Sequence, residues 1–285
     1  MIQPKITFVF LTFNEENNLP AGLDSIPPDL GSVLIVDSFS TDRTLDIARQ
    51  RGIPVLQHPF GNYALQRNWA QEQVTTDWVF PIDADERLTP ELVNWIRNDF
   101  PGLAEKYNGF FFSRRTLFMD RWIRHGGHYP NFHLRLFRRD SVRCEEKAYD
   151  QHFTDRVGGT YLTIRNADLI NIVSESLFQF THQHNRWSDL EANEIVNPGK
   201  ELNDGVRPTL FGTPVERRRW LKTRIFMKNP LFVRPFLYFI YRYFFRLGIL
   251  DGIPGLIFHF LQGFWFRFLV DAKVWERKHL SGNRP

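Results

Sequence analysis

The sequence predicts an α/β protein built on a mostly parallel sheet with helices on both faces. Three observations carry this. Through the first hundred residues, short apolar runs rich in β-branched and aromatic residues alternate with helix-like stretches, the pattern of βαβ units. The runs are apolar throughout rather than alternating, as strands covered on both faces are. Each important run also stops on polar or acidic residues, at the edge where such sheets bind ligands.

Taken in order, KITFVFLTF (residues 5–13) is the first strand, and NEENNLPAGLDSI is a loop and helix. SVLIVDS is the second strand, closed by Asp37. STDRTLDIARQRG opens on Ser, Thr and Asp, spaces Leu45 and Ala48 along one face and stops at Gly52, so it reads as a capped helix. IPVLQH is a third strand, NYALQRNWAQEQV a helix and DWVFPID a fourth strand. Beyond about residue 108 the runs lengthen. GFFFSRRTLFM, FHLRLFRRDSVRC and TYLTIRNADLINIV read as strands of a mixed extension, with the Gly/His-rich loop RWIRHGGHYPN between the first two. Helix resumes near Ser174, and residues 201–216 read as a linker.

The 285 residues suffice for one large or two small domains. The start lacks a basic region and a cleavage site, so it reads as a strand rather than a secretory signal. One cysteine, Cys144, forms neither an intrachain disulfide nor a zinc cluster, which fits a reducing setting. Charge is split: residues 217–278 hold 13 Lys/Arg against 3 Asp/Glu, whereas residues 1–216 hold 22 against 29. The C-terminal part therefore expects an acidic partner. Bulky Phe dominates there and base-reading Asn/Gln are scarce, which favours an anionic membrane surface over nucleic acid. A spanning helix needs ~20 apolar residues. Residues 231–250 are broken by Arg234, Pro235, Arg242 and Arg246, and residues 253–270 by His259, Gln262 and Arg267. A central charge costs about 2.5–3.5 kcal/mol on insertion scales. In-plane amphipathic helices led by the polybasic RRRWLKTR are the expectation, with a hairpin packed on the rest of the chain, or a re-entrant one, as alternatives.

In WVFPIDADE a strand ends on Asp83, Asp85 and Glu86. Two carboxylates as D-x-D at a strand end can bind Mg2+ or Mn2+ and share it with a substrate phosphate. The rival role, capping the next helix, is weakened because Thr89 and Pro90 already supply a cap. Glu86 is expected to point away or brace the loop. Asp37 would accept hydrogen bonds from a base or ribose, or form a turn. His125, His128 and His133 are too unevenly spaced for a metal cluster and read as hydrogen-bonding loop groups. Arg135, Arg138 and Arg139 would meet phosphate or lie on a solvated strand face. There is no G-x-G-x-x-G, Walker A or G-x-S-x-G motif.

FVFLTFNEENNL, VLIVDSFSTDRT, QRNWA and WVFPIDADE, in this order, resemble a family 2 glycosyltransferase with the Rossmann-like GT-A fold. The likeness is strong over residues 5–100 and weaker to about 195. It implies a catalytic domain over residues 1–200, with a nucleotide half at 1–107 and an acceptor half at 108–200, and a membrane-associated helical region at 217–285. It implies that Thr12, Asn14, Glu15, Asp37, Arg67 and Asp83 bind a UDP-sugar or GDP-sugar, and that Asp83 and Asp85 hold Mn2+ or Mg2+. An acid after the RLFRR strand would be the catalytic base: Asp150 is favoured, with Glu146 and Glu145 as the other candidates. QHNRW matches a Q-x-x-R-W motif, so Gln183, Arg186 and Trp187 would meet acceptor or diphosphate, or simply form a packed helix face. The tail resembles those of bacterial enzymes that build exopolysaccharide or lipopolysaccharide core.

Together these imply an inverting hexosyltransferase acting on a lipid-linked glycan at the cytoplasmic face of a bacterial inner membrane. Transfer to a polyprenyl phosphate, or a non-catalytic nucleotide-sugar-binding scaffold, are the alternatives.

Overall fold

The first apolar run becomes the central strand of the parallel part of the sheet, β1 (Ile6–Thr12). Ile6 to Phe10 are buried, as a strand covered on both faces requires. The fold is taken from a computed structural model, which describes residues 4–147, 151–173, 176–197 and 206–280. After β1 come α1 (Leu19–Asp24), β2 (Ser32–Asp37), α2 (Thr44–Gln50), β3 (Val55–Gln57), α3 (Tyr63–Glu72) and β4 (Trp78–Asp83). The order across this part is β3-β2-β1-β4, all parallel. The register pairs Thr12 with Asp37 and Leu11 with Asp83, so the polar strand ends fall level along one edge. One detail departs from expectation. The N-cap of α2 is Arg43, without a side-chain cap, and Asp42 instead accepts from the Thr44 N–H at 2.9 Å.

β5 (Glu86–Leu88) follows a two-residue turn, then α4 (Pro90–Asn98), whose Thr89 cap accepts from the Leu92 N–H, and α5 (Phe100–Leu103). Next are β6 (Gly109–Phe118), β7 (Arg121–Trp122), β8 (Phe132–Arg138), β9 (Val142–Cys144), β10 (Phe153–Asp155) and β11 (Tyr161–Ile172). The run 132–144, expected as one strand, is two. It turns at Arg139–Ser141, where the Ser141 N–H donates to Arg138, so that β8 joins β4 and β6 while β9 pairs with β10. The main sheet reads β3-β2-β1-β4-β8-β6-β11-β5, with β7 beside β6. It is parallel through β4 and antiparallel where β8 joins it.

The chain divides into two compact units. One comprises Met1–Arg114, Asn131–Glu146 and Gln151–Asn171; the other Arg115–Pro130, Lys147–Asp150 and Ile172–Pro285. The core of the first is aromatic. Trp95 meets Phe110 and Phe112 edge-on at 5.1 Å, and Trp78 meets Phe100 at 4.8 Å. Such pairs add about 0.5–1.5 kcal/mol to the burial of their area.

The second unit holds α6 (Leu177–Val196), α7 (Pro214–Arg224), α8 (Val233–Ile240), α9 (Gly252–Phe258) and α10 (Phe266–His279). Ser176 caps α6, and Thr213 with Glu216 makes a capping box for α7. α10 lies on α6. Phe266, Val270 and Val274 cluster with Ala192, and Lys273 and Arg277 both pair with Asp189. For this part of the tail, the packed alternative describes what is seen.

Phe110 is fully buried among the rings of Trp78, Trp95, Phe100 and Tyr107, so Phe110→Ala should lower stability by about 3–5 kcal/mol in urea denaturation.

Candidate functional site

In the first unit, two loops are laced together just beyond the level strand ends. Asn14 adopts a left-handed backbone (φ 56°), which Asn tolerates better than most residues. Its N–H donates to Ser40 Oγ at 2.9 Å, and its Oδ1 accepts from the Thr41 N–H at 2.8 Å. The Glu15 and Glu16 N–H groups donate to Thr44 Oγ1 and Asp42 Oδ2. Asp37 is fully buried beneath this lacing. Its Oδ1 accepts from Thr12 Oγ1 at 2.9 Å and Ser40 Oγ at 2.5 Å, its Oδ2 from the Ser40 N–H at 2.8 Å and Gln57 Nε2 at 3.4 Å. A carboxylate has about four such positions, and all are filled. Of the two roles open to Asp37 in the sequence, the geometry displays the turn-forming one. The long bond from Gln57 is the one a ligand would most readily replace.

At the end of β4 the three acids part company. Glu86 is fully buried. It accepts from Arg135 at 2.5 Å and Arg114 at 3.4 Å, and its Oε2 accepts from the Asp83 N–H at 3.1 Å. It is the brace of the turn. Asp83 faces Arg67 at 3.4 Å and Arg135 at 3.6 Å. Burial alone would raise its proton affinity; Arg67, then Arg135 and Arg114, outweigh that and hold the carboxyl down to about 2. Asp85 is the opposite case. Burial first, then the carboxylates of Asp83, Glu86 and Glu15, push it up to about 8. Its bond comes from a neutral amide, Asn171 Nδ2 at 3.2 Å, and among the described residues it has no arginine or lysine ion pair. Asp85 is thus a half-buried oxygen donor lacking a cation. Two neighbouring carboxylates of this kind fit a hard divalent ion that draws its other ligands from water and phosphate. Among the described residues no three His, Cys, Asp or Glu side chains converge as a ready-made cage, so the protein alone would supply only part of the shell.

The sequence reading missed what Arg135 does. Arg135 is almost fully buried behind Glu86 and Asp83, rather than lying on a solvated face or standing ready for phosphate. Arg138 donates to the Ala104 carbonyl, and Arg139 to the Val74 carbonyl and Asp140. Asn68 and Gln71 were also missed. From the buried face of α3, Asn68 exchanges two hydrogen bonds with the Cys144 backbone, at 3.0 and 2.9 Å, and Gln71 donates to Val142 at 2.6 Å. They suspend β9 and so position the acids after it. Polar residues on the inward face of an amphipathic helix were the available signal.

Of those acids, Glu145 is buried and accepts from the His152 N–H at 3.0 Å, which makes it a brace. Glu146 is exposed. Asp150 lies outside the described residues. The three loop histidines divide between the two units. His133 belongs to the first unit. In the second, His125 Nδ1 meets Asp251 at 2.6 Å, and His128 Nε2 meets Thr116 Oγ1 at 2.8 Å. On α6, Gln183 and Arg186 are exposed, whereas Trp187 is half-buried against the α6–α10 cluster, edge-on to His184 at 4.9 Å.

Two expectations follow from these charges. Glu86→Gln strands two arginines and should cost on the order of 3 kcal/mol in urea denaturation, whereas Asp85→Asn should leave stability unchanged or higher. His184 is held down to about 4 by burial first and by Arg267 next, against an ordinary 6.5. The unfolded chain therefore takes up this proton first on acidification. Stability present above pH 6.5 is lost as pH falls toward 4, and the drop in Tm between pH 7 and pH 5 should be smaller in His184→Phe.

Comparison with known proteins agrees with this geometry. Residues 7–145 match the family described as Glycosyl transferase family 2. An uncharacterized glycosyltransferase of Rickettsia typhi is 27% identical over 293 residues, spanning 98% of this chain and 89% of its own. The lipopolysaccharide core biosynthesis glycosyltransferase LpsC of Rhizobium meliloti is 27% identical over 286 residues, spanning 96% and 93%. The mannosyltransferase PcManGT from Pyrobaculum calidifontis, solved with GDP-Man and Mn2+, shares the fold at a TM-score of 0.57 and 14% identity, over 99% of this chain and 89% of that one. The strand order with its level polar ends, the GT-A likeness and the match over residues 7–145 agree: over this part the chain is similar to glycosyl transferase family 2.

Proposed function

We propose that this glycosyltransferase moves a hexose, with inversion, from a nucleoside-diphosphate sugar to a lipid-linked glycan in cell-surface polysaccharide or lipopolysaccharide-core synthesis. The observation that carries the donor half is the division of labour at the end of β4. Asp83 is neutralised by Arg67 and Arg135, while Asp85 stands beside it with its proton affinity raised. Asp85, with Asp83, would hold Mn2+ or Mg2+. The ion, when bound, supplies positive charge for the departing diphosphate. PcManGT binds GDP-Man and Mn2+, which supports the same pairing here.

The chain's own residues do the rest. The Thr12–Glu15 turn, kept in shape by Asp37, lines the base and ribose. Arg67, paired with Asp83, would orient the diphosphate by charge. In the second unit, Gln183, Arg186 and the free edge of Trp187 are assigned to the acceptor. The base takes the proton from the acceptor hydroxyl. That oxygen bonds to the anomeric carbon as the bond to diphosphate breaks, and the electron pair leaves with the diphosphate. Glu146 is the exposed candidate for this base, and Asp150 the other. The name of LpsC supports the acceptor class, and a lipid-linked acceptor supports a position on the cytoplasmic face of a bacterial inner membrane.

The test is calorimetric binding of UDP and GDP with and without Mn2+, followed by donor hydrolysis and transfer to bacterial lipid extract. Mn2+ should strengthen nucleotide binding, more so as pH rises through 8 and Asp85 gives up its proton. Asp85→Asn should abolish that gain and lower turnover about a hundredfold or more. Full turnover in Asp85→Asn, with nucleotide binding indifferent to Mn2+, would sink the reading.

A further inference from the structure

The tail raises a question of layout: span, in-plane helices or something else. By length and composition, the stretch Gly248–His279 is apolar enough to cross a membrane. Its second half is already spoken for. Phe266, Val270 and Val274 are buried on α6, Arg267 pairs with Glu191 at 2.9 Å, and Lys273 pairs with Asp189 at 2.8 Å. A span would strip those contacts and carry the charges into hydrocarbon. What remains, residues 248–265, reaches roughly 27 Å at 1.5 Å per residue. That falls short of the ~30 Å apolar thickness of a bilayer.

Exposed apolar surface runs from α8, with Phe236 at 56% and Leu237 at 51%, into the turn between α8 and α9, where it is densest. Phe244, Phe245, Leu247, Ile249, Leu250 and Ile253 are all about half exposed or more, with Phe245 at 77% and Ile253 at 74%. So dense a patch is rare on a water-facing surface. Its charges are arranged for lipid. Between Ile225 and Val270 the sequence has one acid, Asp251, and it is turned inward. Asp251 is 2% exposed and accepts from the His125 N–H at 2.9 Å, His125 Nδ1 at 2.6 Å and the Arg124 N–H at 3.3 Å. Arg242 is equally buried, giving its Nε to the Gly126 carbonyl at 2.8 Å and an NH group to Gln262 at 2.6 Å. Arg234 is buried against Asp271. Arg246 differs. It is exposed among the apolar side chains, lies over Gly127, where a Cβ would stand 3.5 Å from its Nε, and has no carboxylate partner among the described residues.

We infer that the turn spanning residues 244–253 dips into one leaflet of an anionic phospholipid bilayer as a wedge, with Arg246 on headgroup phosphate, while α7 and α10 stay out of the lipid. The partner is a lipid surface because the patch offers apolar area rimmed by an exposed cation, Arg246, whose side chain donates a long bond to the Tyr241 hydroxyl at 3.4 Å, and shows no acid outward. The inward Asp251 and the Arg242 bonds to the 125–128 loop stiffen the wedge. This inference rests on the membrane-facing part of the proposed function and adds the mode of contact.

The experiment uses the full chain with one introduced cysteine carrying a nitrobenzoxadiazole label, since the native Cys144 is buried. Labels at Phe245→Cys and Ile253→Cys should shift to the blue, and be quenched by doxyl-labelled acyl chains, on mixing with phosphatidylcholine/phosphatidylglycerol vesicles. Labels at Arg217→Cys on α7 and Lys278→Cys on α10 should not change. Arg246→Gln should weaken binding to these vesicles several-fold while leaving binding to pure phosphatidylcholine unchanged. A lipid response at 217 would mean in-plane helices, and protection at 278 a span. A blue shift that grows with protein concentration without lipid would mean a second copy of the chain. Each of these, or no response at 245 and 253, overturns the wedge. Donor hydrolysis on the same samples separates the two claims: turnover without a lipid response condemns the wedge alone, and a lipid response without turnover condemns the transfer reaction alone.

Discussion

A carboxylate with no access to water governs the geometry at the end of β4. Glu86 is buried between Arg135 and Arg114 and accepts the Asp83 N–H through its second oxygen. Removing a charge of this kind from water is unfavourable unless its oxygens are satisfied and its charge is matched. Meeting both conditions locks the turn Asp83–Glu86, and with it the positions of the two acids that flank Ala84. Arg135 extends the lock by also reaching Asp83. The same constraint leaves Asp85 without an arginine. Because the arginines serve the neighbouring acids, the Asp85 carboxyl is left with its proton affinity raised.

The loops that face this edge are shaped by the same accounting of polar groups. Asp37, buried beneath the strand ends, fills its four acceptor positions from Thr12, Ser40 and Gln57. Asn14 and Ser40 bond across the two loops. These loops are therefore held by hydrogen bonds between their own backbone and side chains rather than by apolar packing. In the second unit the same logic appears inverted. Asp251, Arg242 and Arg234 are hydrogen-bonded internally, and the outer surface of the turn between α8 and α9 is left apolar.

Much of this was legible in the residues, and what escaped has physical causes. The run 132–144 reads as one strand because HLRLFRRDSVRC keeps its alternation through the turn at Asp140. Alternation is a local property, and whether a strand continues depends on which neighbour accepts its hydrogen bonds; β8 finds β4 and β6, and β9 finds β10. Arg135 was expected at a phosphate or on a solvated face because strand alternation is local, yet the partner that buries it, Glu86, lies 49 positions away. Trp187 sits in a motif that suggests an exposed ring, but the surface of α10 reaches it first. Glu145 and Glu146 are adjacent and chemically identical, and the backbone and ring of His152, seven positions on, help to separate a brace from an exposed acid.

The sequence by itself determined the α/β architecture, the four parallel strands and the acids at their ends. These follow from side-chain periodicity and from polar residues closing apolar runs, both of which act over a few residues. It also carried the family likeness, because the motifs lie at strand ends whose spacing the βαβ repeat holds constant. Only the tertiary structure decided which of three neighbouring acids is a brace, which is paired and which is left wanting a cation. Proton affinity depends on the charges within a few ångströms, and those are brought by Arg67, Arg114 and Arg135 from other elements. The tail was decided in the same way: its composition permits several layouts, and the one that holds is set by how much of its apolar face α6 has already covered.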